Sequence, residues 1–471
     1  MYQRRAGQHG VVHRVVRAGL ASLQDDARGL GWLPRHFLAE VRGFLRCGVL
    51  AHGFTRVRCD ACGDESLVAF SCKGRGLCPS CSARRAHVTA AHLVDDVLPR
   101  APYRQWTLAF PFRLRWVLVK TPRLLARLQR VLFGAIAARQ RRVARRGGAT
   151  GRLHTGAVVM TQYFGSALQL TPHFHGLVPD GVFVEEEGGV RFEAVPPPTP
   201  KEVAQLARRF VRRARVELEK SGVLEADLYP EDALEALRLA SLQERLPWGD
   251  GGERAPRALH GRVAVVEGYS LHADTWVHAN DREGLARLAR YGARGALASS
   301  RVTLREDGAV EYRMKKTAGN GASVLVMTAG DFLRRLAALV PPPGRHLVHF
   351  HGGFGPHARV RKQLVALVPR AEATEATCAA TVPGRERPQR ELGLVVAVPP
   401  ARRGPRLDWA GLLRRTFALD VLTCVRCGAK RRVLAVVTHR DTAREVLLAL
   451  GLPAEAPPTG PPPRRQLALP F

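Results

Sequence analysis

The sequence predicts an α+β protein in which a cysteine-rich module precedes a larger domain. Three observations carry this expectation. Apolar residues recur at helical spacing near the start and again in the second half of the chain. Short segments of β-like character dominate residues 100 to 195. Six of the nine cysteines fall between residues 46 and 90, among many glycines, which suits a module stapled by metal.

Taken in order, Val11, Val12, Val15, Val16, Leu20 and Leu23, and then, after a glycine break, Leu33, Phe37, Val41 and Phe44, line apolar helical faces. Strand-like segments are expected at 105–110, 156–164 and 172–184, closed by a proline cluster. Thr199, Pro200 and Glu202 form a helix start, with cap, first-turn proline and capping-box glutamate each in place; the helix should run to about Lys220. Residues 245–260 read as a loop and 263–269 as a strand. Asn280 with Glu283 repeats the capping-box pattern and opens a helix through Tyr291. Segments 302–304 and 311–314 flank the turn signal Glu306-Asp307-Gly308, which predicts a hairpin. A strand at 323–327 and a helix at 331–339, stopped by prolines, complete this part. The expected domains are 1–95, 96–365, a linker at 366–408, a small unit at 409–452 with its own cysteine pair, and a disordered tail at 453–471.

Seventy-three Lys and Arg against 41 Asp and Glu give a net charge of +32 and a pI near 11.2. Such a chain repels itself unless its partner is a polyanion, and nucleic acid is the obvious one. Arginine supplies most of the excess, in runs at 139–146 and 208–215, and guanidinium matches phosphate bidentately. Codon bias with solvated charge is the plainer source of so much arginine, but it does not explain the shortage of acids. No apolar run of about 18 residues suggests a membrane span. The start MYQRRAGQHG lacks the apolar stretch of a secretory signal, so a cytoplasmic location is expected. In that compartment cysteines favour metal over disulfides.

Cys59-x2-Cys62 and Cys78-x2-Cys81, separated by fifteen residues, have zinc-ribbon spacing, in which two knuckles complete one tetrahedron. Four protein ligands leave no open position, so this Zn²⁺ would be structural. Arg56, Arg58, Lys73, Arg75, Arg84 and Arg85 surround it, as suits contact with DNA, and Cys47, Cys72, His52 and His87 lie nearby. Cys424-x2-Cys427 resembles another knuckle, without a visible second half.

In TPHFHGLVPDGVF, His173 and His175 stand at i and i+2 of an expected strand and so share a face. Such a pair can hold one divalent metal or simply be two surface histidines. Tyr291 follows Leu288 and Leu285 at helical spacing, as a core tyrosine would, yet Arg287, Arg290 and Arg294 bracket it.

The succession FSCKGRGLCPSCSARRA, QYFGSALQLTPHFHGLVPDGVF, LARLARYGARGALASSRV and FLRRLAALVPPPGRHLVHFHGGFGPHARVR resembles the rolling-circle transposases of the HUH endonuclease superfamily that carry an N-terminal zinc-binding domain, the insertion-sequence-ninety-one-like and common-region elements. The likeness spans roughly residues 30 to 365 and the CxxC near 424. It implies an HUH nuclease domain at 96–365 with an antiparallel sheet flanked by helices. It implies His173 and His175 as ligands of a catalytic Mg²⁺ or Mn²⁺, Gln162 as the candidate third ligand with Asp180 and Asp274 behind it, and Tyr291 as nucleophile. Arg287, Arg290, Arg294 and Lys315 become candidate DNA contacts. Single-stranded DNA and the element's ends would be the partners, in a bacterial cytoplasm on the nucleoid. Positions four before and after Tyr291 hold Arg287 and Gly295, so the chain resembles the single-tyrosine branch. No GxxxxGK followed by Ser or Thr occurs, so no nucleotide cofactor is expected. A plasmid-type replication initiator or relaxase would share this site, and a non-catalytic zinc-dependent DNA-binding protein would share the charge and the cysteines.

Overall fold

In the computed structural model the described residues are 10–25, 33–223, 261–315, 322–369, 409–417 and 420–457. The expected loop at 245–260, the linker from 370 onward and the tail beyond 457 lie outside them.

Helices α1 (Val11–Asp25) and α2 (Arg35–Arg46) bury the apolar faces read from the sequence, with Val15, Val16, Leu23, Phe37 and Leu45 inside. Strands β1 (Phe54–Cys59) and β2 (Glu65–Ala69) form a hairpin across the first CxxC, and α3 (Pro79–Asp96) starts immediately after Cys78. Strand β3 (Tyr103–Ala109) follows. Then come α4 (Leu114–Lys120) and the 25-residue α5 (Pro122–Arg146), in a stretch expected to be mostly β. The signal for α5 was present: Leu124, Leu125, Leu128, Leu132, Phe133 and Ile136 keep helical spacing, and all are buried. Arg139, in the run read as a phosphate-binding stripe, is instead buried and holds Glu202 through two hydrogen bonds of 3.1 and 2.9 Å.

Strands β4 (Leu153–His154), β5 (Gly156–Phe164), β6 (Leu170–Pro179), β7 (Gly181–Glu186) and β8 (Gly189–Ala194) come next. The single strand expected at 172–184 breaks at Asp180, whose carboxylate takes two hydrogen bonds from buried Arg104; β6 and β7 belong to different sheets. Helix α6 (Pro200–Glu219) opens with the full capping box of Thr199 and Glu202.

Strands β9 (Val263–Val266) and β10 (Tyr269–His272) replace the one strand expected at 263–269. Glu267 and Gly268 both take positive φ, 50° and 77°, so the chain turns sharply between them. After β11 (Trp276–Val277), helix α7 (Arg282–Ala293) is capped by Asp281, which accepts from the Gly284 amide. The cap is not Asn280, whose side chain instead accepts from Arg100. Strands β12 (Val302–Leu304), β13 (Val310–Arg313) and β14 (Val324–Met327) form a separate three-stranded sheet. Helix α8 (Ala329–Leu339), strand β15 (Val348–Gly352) and helix α9 (Arg361–Ala366) follow, then α10 (Trp409–Phe417), β16 (Arg431–Val437) and α11 (Arg440–Ala449).

The central sheet runs β15-β5-β6-β3-β10-β9, with β11 also on β3, and every pairing is antiparallel. Its register puts Thr107, His175 and Met160 in one row and Ala109, His173 and Gln162 in the next. Paired residues share a face, so these side chains look toward α7 and α3, where Tyr103, Met160, Leu177, Leu285 and Ala289 form a buried core. The opposite face carries Trp106, Leu108, Phe174 and Val159 against α4, α5 and α6. Gly176 is obligatory there, because a Cβ at that position would lie 2.3 Å from the Phe133 ring. The mixed architecture with its antiparallel sheet matches the α+β expectation.

Strand β16 pairs with β1 along its whole length, making a three-stranded sheet β16-β1-β2. The C-terminal residues expected to form a unit of their own therefore complete the N-terminal module.

Candidate active site and cysteine clusters

His173 and His175 project from β6, with ring centroids 4.9 Å apart. The β alternation that aligns them is backed by groups that fix each ring. His173 Nδ1 donates to the Thr171 carbonyl at 2.7 Å, which leaves Nε2 as the nitrogen with a free lone pair. His175 Nδ1 lies 3.2 Å from Thr107 Oγ1 and 3.1 Å from the Gln105 amide. His175 Nε2 is buried without a hydrogen-bond partner. Burial first, then the neighbouring imidazole and the charges of Arg294 and Lys315, push His175 down to about 3. Burial likewise holds His173 below its ordinary value. Both rings are neutral at pH 7, the state a metal ligand needs.

Gln162 stands opposite His173 on β5 and is 3% exposed. Its Nε2 donates to the carbonyls of Tyr291 and Gly292 at 2.7 and 2.8 Å, which fixes the amide orientation. Oε1 is thereby left buried with no partner. The side chain thus ties the end of α7 to the sheet, and its free oxygen sits on the histidine face. Two buried polar atoms without partners, His175 Nε2 and Gln162 Oε1, accompany the available Nε2 of His173; with the His175 Nδ1–H given to Thr107 Oγ1, they form a donor set that fits a divalent cation. Asp180 and Asp274 are occupied elsewhere, Asp180 with Arg104 and Asp274 with the Arg262 amide at 2.8 Å.

Tyr291 lies in the last turn of α7 and is 36% exposed, so it is not a core residue. Its ring centroid is 5.4 Å from that of His175. Arg294 and Lys315 each approach the ring to 4.6 Å. Partial burial would raise the phenol pKa, but the charges and hydrogen bonds of Arg294 and Lys315 outweigh it and hold the group below the ordinary tyrosine range. Arg287 is exposed and pairs with Asp281 and Glu283 on its own helix at 3.7 and 3.4 Å. Arg290 lies toward His87 of α3, whose pKa its charge helps to lower. Of the four cations named from the sequence, Arg294 and Lys315 are the two that reach the phenol.

Sequence reading missed a cleft of about 440 Å³ against the end of α7. Arg75, Arg85, Arg294, Arg345 and His346 line it, so its walls are cationic and come from both the cysteine module and the sheet domain. The arginines at 75 and 85 were legible as basic neighbours of the cysteines. Their meeting with Arg345 depends on a contact 270 residues apart, in which Arg75 donates to the Arg345 carbonyl.

The cysteines divide otherwise than expected. Cys59, Cys62, Cys78 and Cys81 do not form one site. Cys78 and Cys81 join Cys47 and Cys72, while Cys59 and Cys62 join Cys424 and Cys427. The reason is strand geometry: the β1–β2 hairpin carries its knuckle at the far end from α3, and β16 brings the C-terminal pair alongside it. In the first cluster Sγ separations are 3.7 Å for Cys47–Cys78, 3.8 Å for Cys47–Cys81 and 3.4 Å for Cys72–Cys81. Four sulfurs about 2.3 Å from a tetrahedral zinc stand ~3.8 Å apart, so little movement is needed to close the site. Hydrogen bonds from Cys47, Cys72 and Cys78 hold the Cys81 thiol well below its usual range. This cluster starts α3, which packs on α7. The fit is close, since a Cβ on Gly295 would come within 2.8 Å of Ser82.

Residues 156–362 match the family described as "Putative transposase", and residues 20–110 match the "Transposase zinc-binding domain". The zinc-binding match supports a structural zinc on the cysteines. "Putative transposase y4qJ" of Sinorhizobium fredii (strain NBRC 101917 / NGR234) is 26% identical over 331 residues, 67% of this chain and 74% of that protein. No solved structure matches the chain. No helix among the described residues is long and apolar enough to cross a membrane. With its two transposase regions in this order, the chain is similar to the insertion-sequence-ninety-one-like transposases.

Proposed function

We propose that this chain is a transposase that nicks and rejoins single-stranded DNA at its element's ends by tyrosine-mediated transesterification, the chemistry of rolling-circle transposition. The observation that carries the reading is the meeting of three groups: Tyr291 beside the neutral His173/His175 pair, with Arg294 and Lys315 against its ring. The Tyr291 oxygen attacks a backbone phosphorus as its proton leaves to solvent. A phosphorus–tyrosine bond forms, the bond to the 3′ oxygen breaks, and that oxygen takes up a proton to give a free 3′-hydroxyl. One phosphodiester replaces another, so rejoining is nearly isoenergetic and no nucleotide cofactor is required.

Arg294 and Lys315 stabilise the phenolate and the charge that builds on the phosphate. His173, His175 and the Oε1 of Gln162 would hold Mg²⁺ or Mn²⁺, which when bound polarises the scissile phosphate. Arg75, Arg85, Arg345, Arg287 and Arg290 would hold the strand by its phosphates, a contact that weakens with salt.

The test is a denaturing gel with labelled single-stranded DNA from the element's flanks. Wild type should give a covalent adduct with Mg²⁺ or Mn²⁺ and none with chelator. A His173→Ala/His175→Ala variant should bind the strand and lose the adduct by at least a hundredfold. An undiminished adduct in that variant would take the histidine pair out of the chemistry, and binding without any adduct in wild type would leave a zinc-dependent DNA-binding protein.

The lowered phenol pKa gives a pH prediction. Adduct formation should rise with pH and level off below the range of an ordinary tyrosine, about 10. Lys315→Ala removes a stabilising charge, so the rise should move to higher pH, and rates measured across the profile in both proteins would show it. Coincident profiles would mean that Lys315 does not act on the phenol.

A further inference from the structure

The region matched by the transposase zinc-binding domain ends at residue 110, yet the second cysteine cluster draws half of its sulfurs from beyond residue 420. We propose that Cys59, Cys62, Cys424 and Cys427 bind a second zinc ion, and that this ion is a clasp fixing the C-terminal segment onto the N-terminal module.

The sulfurs are already gathered: Cys59–Cys427 is 3.5 Å, Cys62–Cys424 is 3.6 Å and Cys62–Cys427 is 3.5 Å. These approach the ~3.8 Å edge of a tetrahedral four-sulfur site. The two knuckles are also built alike, although 368 residues separate Cys59 from Cys427. In each, a CxxCG sequence folds so that the glycine amide donates back to the first cysteine's carbonyl, Gly63 to Cys59 at 2.9 Å and Gly428 to Cys424 at 2.8 Å. Both glycines take positive φ, 72° and 74°, a conformation costly for other residues. Each first cysteine in turn donates its amide to a carbonyl five residues on, Asp64 or Ala429. Two matching turns facing one another offer four thiolates and no open coordination position, the composition of a structural site.

The surrounding contacts hold the same two segments together. Cys59 pairs with Arg431 in the β1–β16 register, Arg431 is buried and bonds Asp64, and Arg432 donates to Asp60 at 2.7 Å. The apolar contribution is small: Phe54, Leu50, Val437, Ala443 and Leu447 make a cluster of their own. So small a core is where a metal staple is needed. Cys62 and Cys427 are exposed, whereas Cys78 and Cys81 are buried, so the clasp ion should be the more readily chelated of the two.

The test counts metal and follows the fragment. Native mass spectrometry after dialysis into Mg²⁺ should find two zinc ions per wild-type chain, two in His173→Ala/His175→Ala, and one in Cys424→Ser/Cys427→Ser. A protease recognition sequence inserted between residues 370 and 408 allows the chain to be cut. The C-terminal fragment should then co-elute with the rest until a chelator is added, with one zinc released ahead of the other. One zinc in wild type, two retained in the cysteine variant, or a fragment that departs with both ions still bound would overturn the clasp. The wild-type count and the chelator step decide the matter even if the serine variant fails to fold.

Discussion

Tyr291→Phe is expected to abolish the covalent protein–DNA adduct while leaving strand binding within about twofold. The substitution removes one oxygen and keeps the ring that Arg294 and Lys315 each approach to 4.6 Å and that meets His175 at 5.4 Å. No core packing is lost, because the residue is 36% exposed. The only group removed is the one that would attack phosphorus, so the loss should be complete rather than graded. Electrophoretic binding and adduct gels on the same preparations separate the two effects. A variant that still forms adduct would move the nucleophile to another residue.

The second large effect is expected far from any reacting atom. Cys72→Ser/Cys81→Ser breaks the first cysteine cluster, and should remove one zinc and collapse adduct formation together. Structural zinc contributes about 10–16 kcal/mol to folding in small zinc modules, against a total stability of ~5–15 kcal/mol for a typical domain. Without the ion the start of α3 is no longer anchored, and α3 is the helix against which α7 lies. Ser82, next to Cys81, packs closely on Gly295, four residues beyond Tyr291, and so links the cluster to the segment that carries the phenol. Zinc content, protease resistance of the N-terminal module and adduct yield should fall in parallel. Full adduct yield in a zinc-depleted variant would uncouple the module from the site.

Much of the site was legible because it is local. A strand's alternation puts His173 and His175 on one face whatever the sheet around them, and the capping box at Thr199 and Glu202 is complete within four residues. The α7 cap was off by one residue because Asn280 and Asp281 are both good caps, and Arg100, from a distant segment, takes the asparagine. What could not be read is what long-range register decides. Cys59-x2-Cys62 and Cys78-x2-Cys81 satisfy a ribbon spacing, yet the pairing of β1 with β16 gives Cys59 and Cys62 different partners. Gln162 was named from its strand. Its grip on the Tyr291 and Gly292 carbonyls depends on how α7 crosses the sheet, which nothing in its neighbouring residues encodes. Lys315 reaches Tyr291 from beyond β13, and only the tertiary fold brings that segment to the end of α7.

The most direct test of the account is to map the adduct. Single-stranded DNA from an element end is incubated with the protein and Mg²⁺ or Mn²⁺, the complex is digested with nuclease and trypsin, and the nucleotide-bearing peptide is identified by mass spectrometry. One modified peptide is expected, Tyr291-Gly292-Ala293-Arg294, carrying a 5′-phosphate on the tyrosine and absent when chelator replaces the metal. Nucleotide on a serine or on another tyrosine, or a modified Tyr291 that forms equally well without divalent metal, would contradict it.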